Sequence, residues 1–277
     1  MPKRNFLPIE PCAAAANGRG SSRIVRAPSK LPAAIGLLAQ EAETPHQTLQ
    51  KAKALGLNDA AIDQAEALLE HAIAGWQDRD PRNPEYAETL TLLGIMHQHE
   101  SYLDIQLLRN TVEPFYKHAL NVYRRSLTDP DPAQLALTLE LEAAVLYAIG
   151  EVEDATPLSE RALAIRKERV REIQAGAPQI SAAYKPGDGI TAPKVINKAE
   201  PGLTDVARFL KINGTVSLRF VVDEHGVPQD IGLVHSMGYG LDEKAVETLR
   251  TWRFQPGTSD NVPVATINTV EMTFSAL

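Results

Sequence analysis

Thr215-Val216-Ser217-Leu218-Arg219-Phe220-Val221-Val222 decides the fold of the C-terminal part of this chain. It alternates, placing Val216, Leu218, Phe220 and Val222 on one face of a strand. Asp223-Glu224-His225-Gly226 follows with the chemistry of a hairpin turn, since Gly226 is free to take positive φ. Residues 230–236 read as the returning strand, ended by Gly238-Tyr239-Gly240. Leu241, Ala245, Val246, Leu249 and Trp252 then share one face of a helix, and Asp242 and Glu243 in its first turn complement the helix dipole. Phe254-Gln255-Pro256-Gly257 stops that helix, and residues 263–274 alternate again with Val264, Val270, Met272 and Phe274 on one side. Before the first strand, residues 204–211 suit one or two helical turns with Thr204 as N-cap. Helix, strand, strand, helix, strand implies a small α+β domain over residues 193–277, a three-stranded antiparallel sheet covered by one helix.

Upstream the pattern changes class. Residues 174–192 are rich in Gly, Pro, Ala and Ser without apolar period, so residues 176–192 are expected to be an exposed linker. Residues 45–175 are helical in character, with breaks at Gly56-Leu57-Asn58, Asp80-Pro81-Arg82-Asn83-Pro84, Asp129-Pro130-Asp131-Pro132 and Gly150. Asp or Asn before Pro suits a helix start, because Pro needs no amide partner in the first turn. Three segments match in register around Ala72-Ile73, Ala119-Leu120 and Ala162-Leu163. Two of them follow another amphipathic stretch, so the unit is a helix pair, and units of this kind bury their apolar faces by stacking.

The helical segment resembles the tetratricopeptide repeat, in its longer kinesin-light-chain-like form. Thr89-Leu90-Thr91-Leu92-Leu93-Gly94 is similar to that family's first helix, and Leu139, Ala143-Ala144 and Leu146-Tyr147 to the next one. Small residues at Gly94, Ala119, Ala144 and Ala162 are what close helix approach requires. The first pair carries extra residues around Ser101 to Arg109, and the first copy shows no obvious leading helix. The resemblance implies either a protein-binding concave face or a rigid spacer.

Residues 193–277 resemble the C-terminal domain of the TonB/TolA energy-transducer family. The matching elements are Ala207-Arg208, Ile212-Asn213-Gly214-Thr215-Val216, Phe220 to Gly226, Asp230-Ile231, Ser236-Met237-Gly238, Gly240 to Val246, Trp252 to Gly257 and Pro263-Val264. The fold class expected is thus multi-domain, a helical-repeat region followed by this small α+β domain. An open sheet edge is a template for another extended segment. Strand addition gives backbone hydrogen bonds for affinity and alternate side chains for choice of partner. The resemblance implies that the domain captures a short box peptide of an outer-membrane transporter, and that the protein works in the periplasm, associated or not with the inner membrane. The candidate partner-binding residues are Thr266, Asn268, Thr269, Val270, Glu271, Met272 and Thr273 on the last strand. The family's Tyr-Pro pair before Ala-Arg lies near its partner surface; here those positions are Leu203 and Thr204, a degenerate second part of the candidate site. The competing expectation is a soluble helical-repeat scaffold, or a homodimeric adaptor whose dimerisation closes this edge, with no role in transport.

Composition narrows the function classes. The chain has 277 residues, 44% hydrophobic and 23% charged, as in ordinary globular proteins, and its net charge is −7. Neither the helical region nor the C-terminal region is basic, so no nucleic-acid partner is expected. Cys12 is the only cysteine, which excludes an intramolecular disulfide and any Cys-based zinc site. His97 and His99 stand two apart on a helix and point away from each other, so no metal and no cofactor is expected. No phosphate loop, nucleophile elbow or metalloprotease spacing occurs, and the acid pairs at 223–224 and 242–243 suit a turn and a helix start; catalysis is not expected. No uninterrupted apolar run reaches the length of a membrane span. Residues 1–44 read as a disordered leader or as an export signal, with Lys3, Arg4, Arg19, Arg23, Arg26 and Lys30 ahead of the apolar run 31–39. An energy transducer needs an anchor and a long Pro-rich spacer. With neither legible, the expectation is an adaptor or transducer-like binding protein, or a chain whose start is incomplete.

Overall fold

The computed structural model describes residues 43–100, 104–176, 180 and 182–276. The leader or export signal expected over residues 1–44 lies outside them apart from its last two residues. The helices are α1 (Pro45–Leu55), α2 (Ile62–Arg79), α3 (Pro84–Glu100), α4 (Ile105–Leu107), α5 (Glu113–Arg125), α6 (Pro132–Ile149), α7 (Val152–Ile173), α8 (Asp205–Phe209) and α9 (Leu241–Thr251). The strands are β1 (Lys194–Asn197), β2 (Gly214–Val222), β3 (Pro228–His235), β4 (Arg253–Gln255), β5 (Gly257–Ser259), β6 (Val262–Val264) and β7 (Thr266–Phe274). Helices first and a small antiparallel sheet afterwards is the expected fold class.

Helices α1, α3 and α6 start where local chemistry favours it. Thr44 caps α1 in a reciprocal capping box with Gln47. Asn83 accepts from the Glu85 amide at the start of α3, and Asp131 from the Ala133 amide at the start of α6, each just before a proline. Gly150 ends α6 in a left-handed conformation. Apart from the short α4, the helices pack in chain order: α1 on α2, α2 on α3, α3 on α5, α5 on α6 and α6 on α7. The three small residues that define the register, Ala72, Ala119 and Ala162, are buried. At Gly94 a Cβ would stand 2.6 Å from the Tyr116 ring, so α3 and α5 approach as closely as they do because no side chain is there. Ahead of α2, where the sequence shows no obvious leading helix, α1 buries Thr48, Leu49 and Ala52 and packs on α2. Ahead of α5 the described residues carry α4 and a π-helical turn, Leu108–Val112. Among the described residues, α6 alone is long and apolar enough to cross a membrane. It is instead packed against α5 and α7, with Glu142 buried among them.

In the second half the principal sheet has the order β3-β2-β7, antiparallel throughout. Val216, Leu218, Phe220 and Val222 face α9, whose Leu241, Ala245, Val246 and Leu249 complete one core with Trp252, Met272 and Phe274. Burying such side chains is worth roughly 1.5–3 kcal/mol each, and the alternation of β2 and the stripe of α9 supply it. The turn between β2 and β3 is closed by Asp223, whose Oδ1 accepts from the His225 and Val227 amides at 2.9 and 2.8 Å. Gly226 takes φ +79°, and a Cβ there would lie 1.8 Å from the Phe254 carbonyl oxygen. Two short ribbons, β1 with β4 and β5 with β6, flank the sheet. These were not legible: each strand is three or four residues long, too short to show alternation.

The two halves share cores. Phe209 and Leu210 of the α8 region pack with Ile95, Tyr116, Leu141 and Val145, and Val170 of α7 joins the core under the sheet. Residues 43–277 form one compact unit. The segment expected as an exposed linker carries β-bridges at Tyr184, Gly187 and Ile190.

Candidate functional site

All seven candidate residues from Thr266 to Thr273 lie on β7, which pairs with β2 in continuous register from Gly214↔Phe274 to Val222↔Thr266. Backbone polar groups of a strand alternate between its two sides. The Ile267 amide donates away from β2, to the Tyr184 carbonyl at 2.8 Å. Residues 269, 271 and 273 therefore also direct their N–H and C=O groups outward, while 266, 268, 270, 272 and 274 serve the ladder to β2. Among the described residues, no backbone partner is paired with the outward groups of Thr269, Glu271 or Thr273. Side chains divide the other way: Thr266 and Met272 are buried and Asn268 and Val270 half-buried, whereas Thr269, Glu271 and Thr273 are exposed. Asn268 is tied locally, its Nδ2 donating to the Thr266 carbonyl and hydroxyl.

The edge is not wholly open. Tyr184 N–H donates to the Ala265 carbonyl at 2.9 Å, so with the Ile267 bond it forms a parallel bridge at Thr266. The opposite edge of the sheet is closed differently. Gln174, just past α7, donates its Nε2 to the Ile231 carbonyl and accepts the Ile231 amide on Oε1, both at 2.6 Å. One side-chain amide thus stands where a neighbouring strand's peptide unit would. Beside it a cavity of about 560 Å³ is lined by Lys167, Arg171, Asp230 and Leu233. Neither Tyr184 nor Gln174 was singled out from sequence. A lone tyrosine in a Gly/Pro-rich stretch is a faint signal for the first, and nothing local marks the second, whose partner is 57 residues away.

Leu203 and Thr204 belong to the start of α8. Thr204 accepts the Ala207 amide at 3.2 Å as N-cap and donates to the Tyr239 carbonyl at 2.8 Å. The Leu203 carbonyl accepts from Arg208. Their hydrogen bonds among the described residues do not reach Thr266 to Thr273.

Buried charge concentrates where the two halves meet. Arg166 of α7, 2% exposed, binds Glu140 of α6 and Glu243 of α9. Burial works against its charge, but the two carboxylates more than offset that and hold it protonated. Glu140 also accepts the Tyr239 amide at 2.7 Å. Asp242 accepts from Ser236, Met237 and Gly238, and burial lifts its carboxyl to about 6. Each of these groups has at least one partner, as in a structural brace, although Glu243 Oε2 has none among the described residues. His97 lies against Glu66 and stacks on Phe115, and His99 lies against Asp59 and stacks on Phe209. Among the described residues no group of three or more His, Cys, Asp or Glu could hold a metal ion.

Residues 201–276 match the family model described as Gram-negative bacterial TonB protein C-terminal. The match covers these residues alone, and the helical region lies outside it. The solved structures to which the chain is similar include the "Solution NMR structure of Pseudomonas aeruginosa TonB CTD", at 24% identity, covering 32% of this chain and 88% of that one with a TM-score of 0.27. No curated protein matches the chain.

Proposed function

We propose that this chain is a TonB-like protein-binding protein whose C-terminal domain captures an extended partner segment by strand addition along β7. The observation that carries the reading is the run of outward backbone groups at Thr269, Glu271 and Thr273, on a strand whose inner side is fully paired. An added strand would satisfy them, and the exposed side chains of the same three residues would choose the guest. The candidate residues are those of β7, Thr266, Asn268, Thr269, Val270, Glu271, Met272 and Thr273. Of the second candidate pair, Thr204 caps α8 and Leu203 packs against the core under the sheet, so on this reading both support the domain and the guest is taken on β7. The natural guest on this reading is a segment of an envelope protein, such as an outer-membrane transporter, which places the protein in the periplasm. The helix pairs of residues 45–175, read as tetratricopeptide-like, would offer a second protein-binding surface. The function is binding rather than catalysis.

Titrating the full chain with candidate box peptides and recording amide chemical shifts tests the reading. Shifts should concentrate at residues 269–273. A peptide that binds without moving them would place the partner surface elsewhere and defeat it.

A further inference from the structure

Residues 184–199 run as a strap across the C-terminal domain, and its attachment is uneven. At one end Thr191 donates its amide to the Thr258 carbonyl at 2.8 Å, and its hydroxyl accepts the Thr258 amide at 2.7 Å. Lys194–Asn197 pairs with β4, and the Trp252 Nε1 donates to the Ala199 carbonyl at 2.9 Å. At the other end, among the described residues, the strap holds β7 through the backbone of Tyr184 alone, whose ring is half exposed. Between the two ends Gly187 and Gly189 take φ +122° and +89° in a turn that Gly187 and Ile190 close with two hydrogen bonds of 2.9 Å. The strap is thus held up to Gly187, and only the residues before it reach β7 unsupported. That is a dense anchor, a glycine-bearing bend and a single-residue contact on a sheet edge.

We propose that Tyr184 is an intramolecular occupant of the β7 edge, and that displacing residues 184–186, ahead of the closed turn at Gly187–Ile190, opens the full edge to a guest. The inference rests on the strand-addition reading above and adds the step that precedes it. A guest pairs first where the outward groups are free, at Thr269, Glu271 and Thr273. To extend the ladder to Ile267 and Ala265 it must take the two hydrogen bonds that Tyr184 now makes. Short guests bind without touching the strap, and longer ones compete with it. The contact thus sets a threshold on the length of segment the domain retains.

The test uses the full chain and a synthetic peptide with the sequence of β2, residues 214–222, which is already complementary in length and alternation to β7. Tyr184→Pro removes the N–H that reaches Ala265, whereas Tyr184→Ala leaves the backbone bonds in place. Hydrogen exchange at the Ile267 amide should be roughly fivefold faster in Y184P, and the peptide should bind roughly fivefold more tightly, with Y184A behaving as the unchanged protein. Should Y184P not fold, Thr191→Ala loosens the strap from its other end and should move both readouts in the same direction. Unchanged exchange at Ile267, or faster exchange with unchanged affinity, overturns the occupant role while leaving strand addition standing. A peptide bound by none of these proteins defeats strand addition itself and the occupant role with it.

Discussion

Arg166 clasps Glu140 through two parallel hydrogen bonds, Nε to Oε1 at 2.8 Å and Nη2 to Oε2 at 2.9 Å, and its Nη1 reaches Glu243 at 2.9 Å. One guanidinium therefore ties α6 and α7 to the first turn of the helix that covers the sheet. Arg166→Leu removes the shared cation and leaves two nearly buried carboxylates facing each other. It should cost about 3–5 kcal/mol in urea unfolding, the usual penalty for breaking a buried pair on one side. Combining R166L with Glu140→Leu should recover part of that loss. An R166L protein of unchanged midpoint would mean that apolar contacts alone join the halves.

The sheet and its helix were legible because each carries a complete local pattern. Val216 to Val222 alternate, Asp223 and Gly226 supply the turn, and the stripe from Leu241 to Leu249 has helical period. In the helical half the positions read as small and inward, Ala72, Ala119 and Ala162, are all buried. What could not be read is what depends on contacts distant in sequence. Arg166 looks like one more charge on a charged helix until Glu243, 77 residues later, is placed beside it. Gln174 and Tyr184 act through edges that exist only once the sheet has formed. The β7 strand was identified, but not that one end of its outer edge is already paired.

Glu142 is buried, its Oε2 has no hydrogen-bond partner among the described residues, and burial lifts its carboxyl to about 8, with Glu113 adding to the effect. The unfolded carboxyl titrates near its ordinary value of 4.5. Between these two values the folded chain holds a proton that the unfolded chain has released, so stability falls as pH rises from 4.5 through about 8. Glu142→Gln imitates the protonated form. It should raise unfolding stability by about 1–3 kcal/mol at pH 7.5, with the gain vanishing below pH 4.5. Equal effects of E142Q at pH 4 and pH 7.5 would show that Glu142 does not titrate in this window.

Gln174 stands in for a strand beside Ile231. Gln174→Ala would bare one amide and one carbonyl on the outer edge of β3, next to the cavity under Lys167 and Arg171. The loss should be about 1–2 kcal/mol in thermal or urea unfolding. It should also bring concentration-dependent self-association in sedimentation velocity, since an uncovered edge recruits another chain. A monodisperse Q174A of unchanged stability would show that the side-chain amide is incidental to guarding this edge.

The strand-addition reading makes opposite predictions for neighbouring residues on β7. The amide of Glu271 points away from β2 and that of Met272 toward it, by the alternation that Ile267 and Tyr184 define. Proline lacks the N–H and is tolerated on an edge strand where that N–H would face solvent. Glu271→Pro should therefore keep the fold, losing no more than about 1 kcal/mol, while weakening a bound segment about tenfold or more through the lost hydrogen bond and the ring in its path. Met272→Pro should break the ladder to Val216 and destabilise the whole domain by about 3 kcal/mol or more. Circular dichroism melts of both variants, read beside peptide affinity for E271P, separate the two sides of the strand. If E271P unfolds as readily as M272P, its amide lies in the ladder and the outer edge is not where it has been placed. If E271P folds and binds normally, the guest does not use that edge.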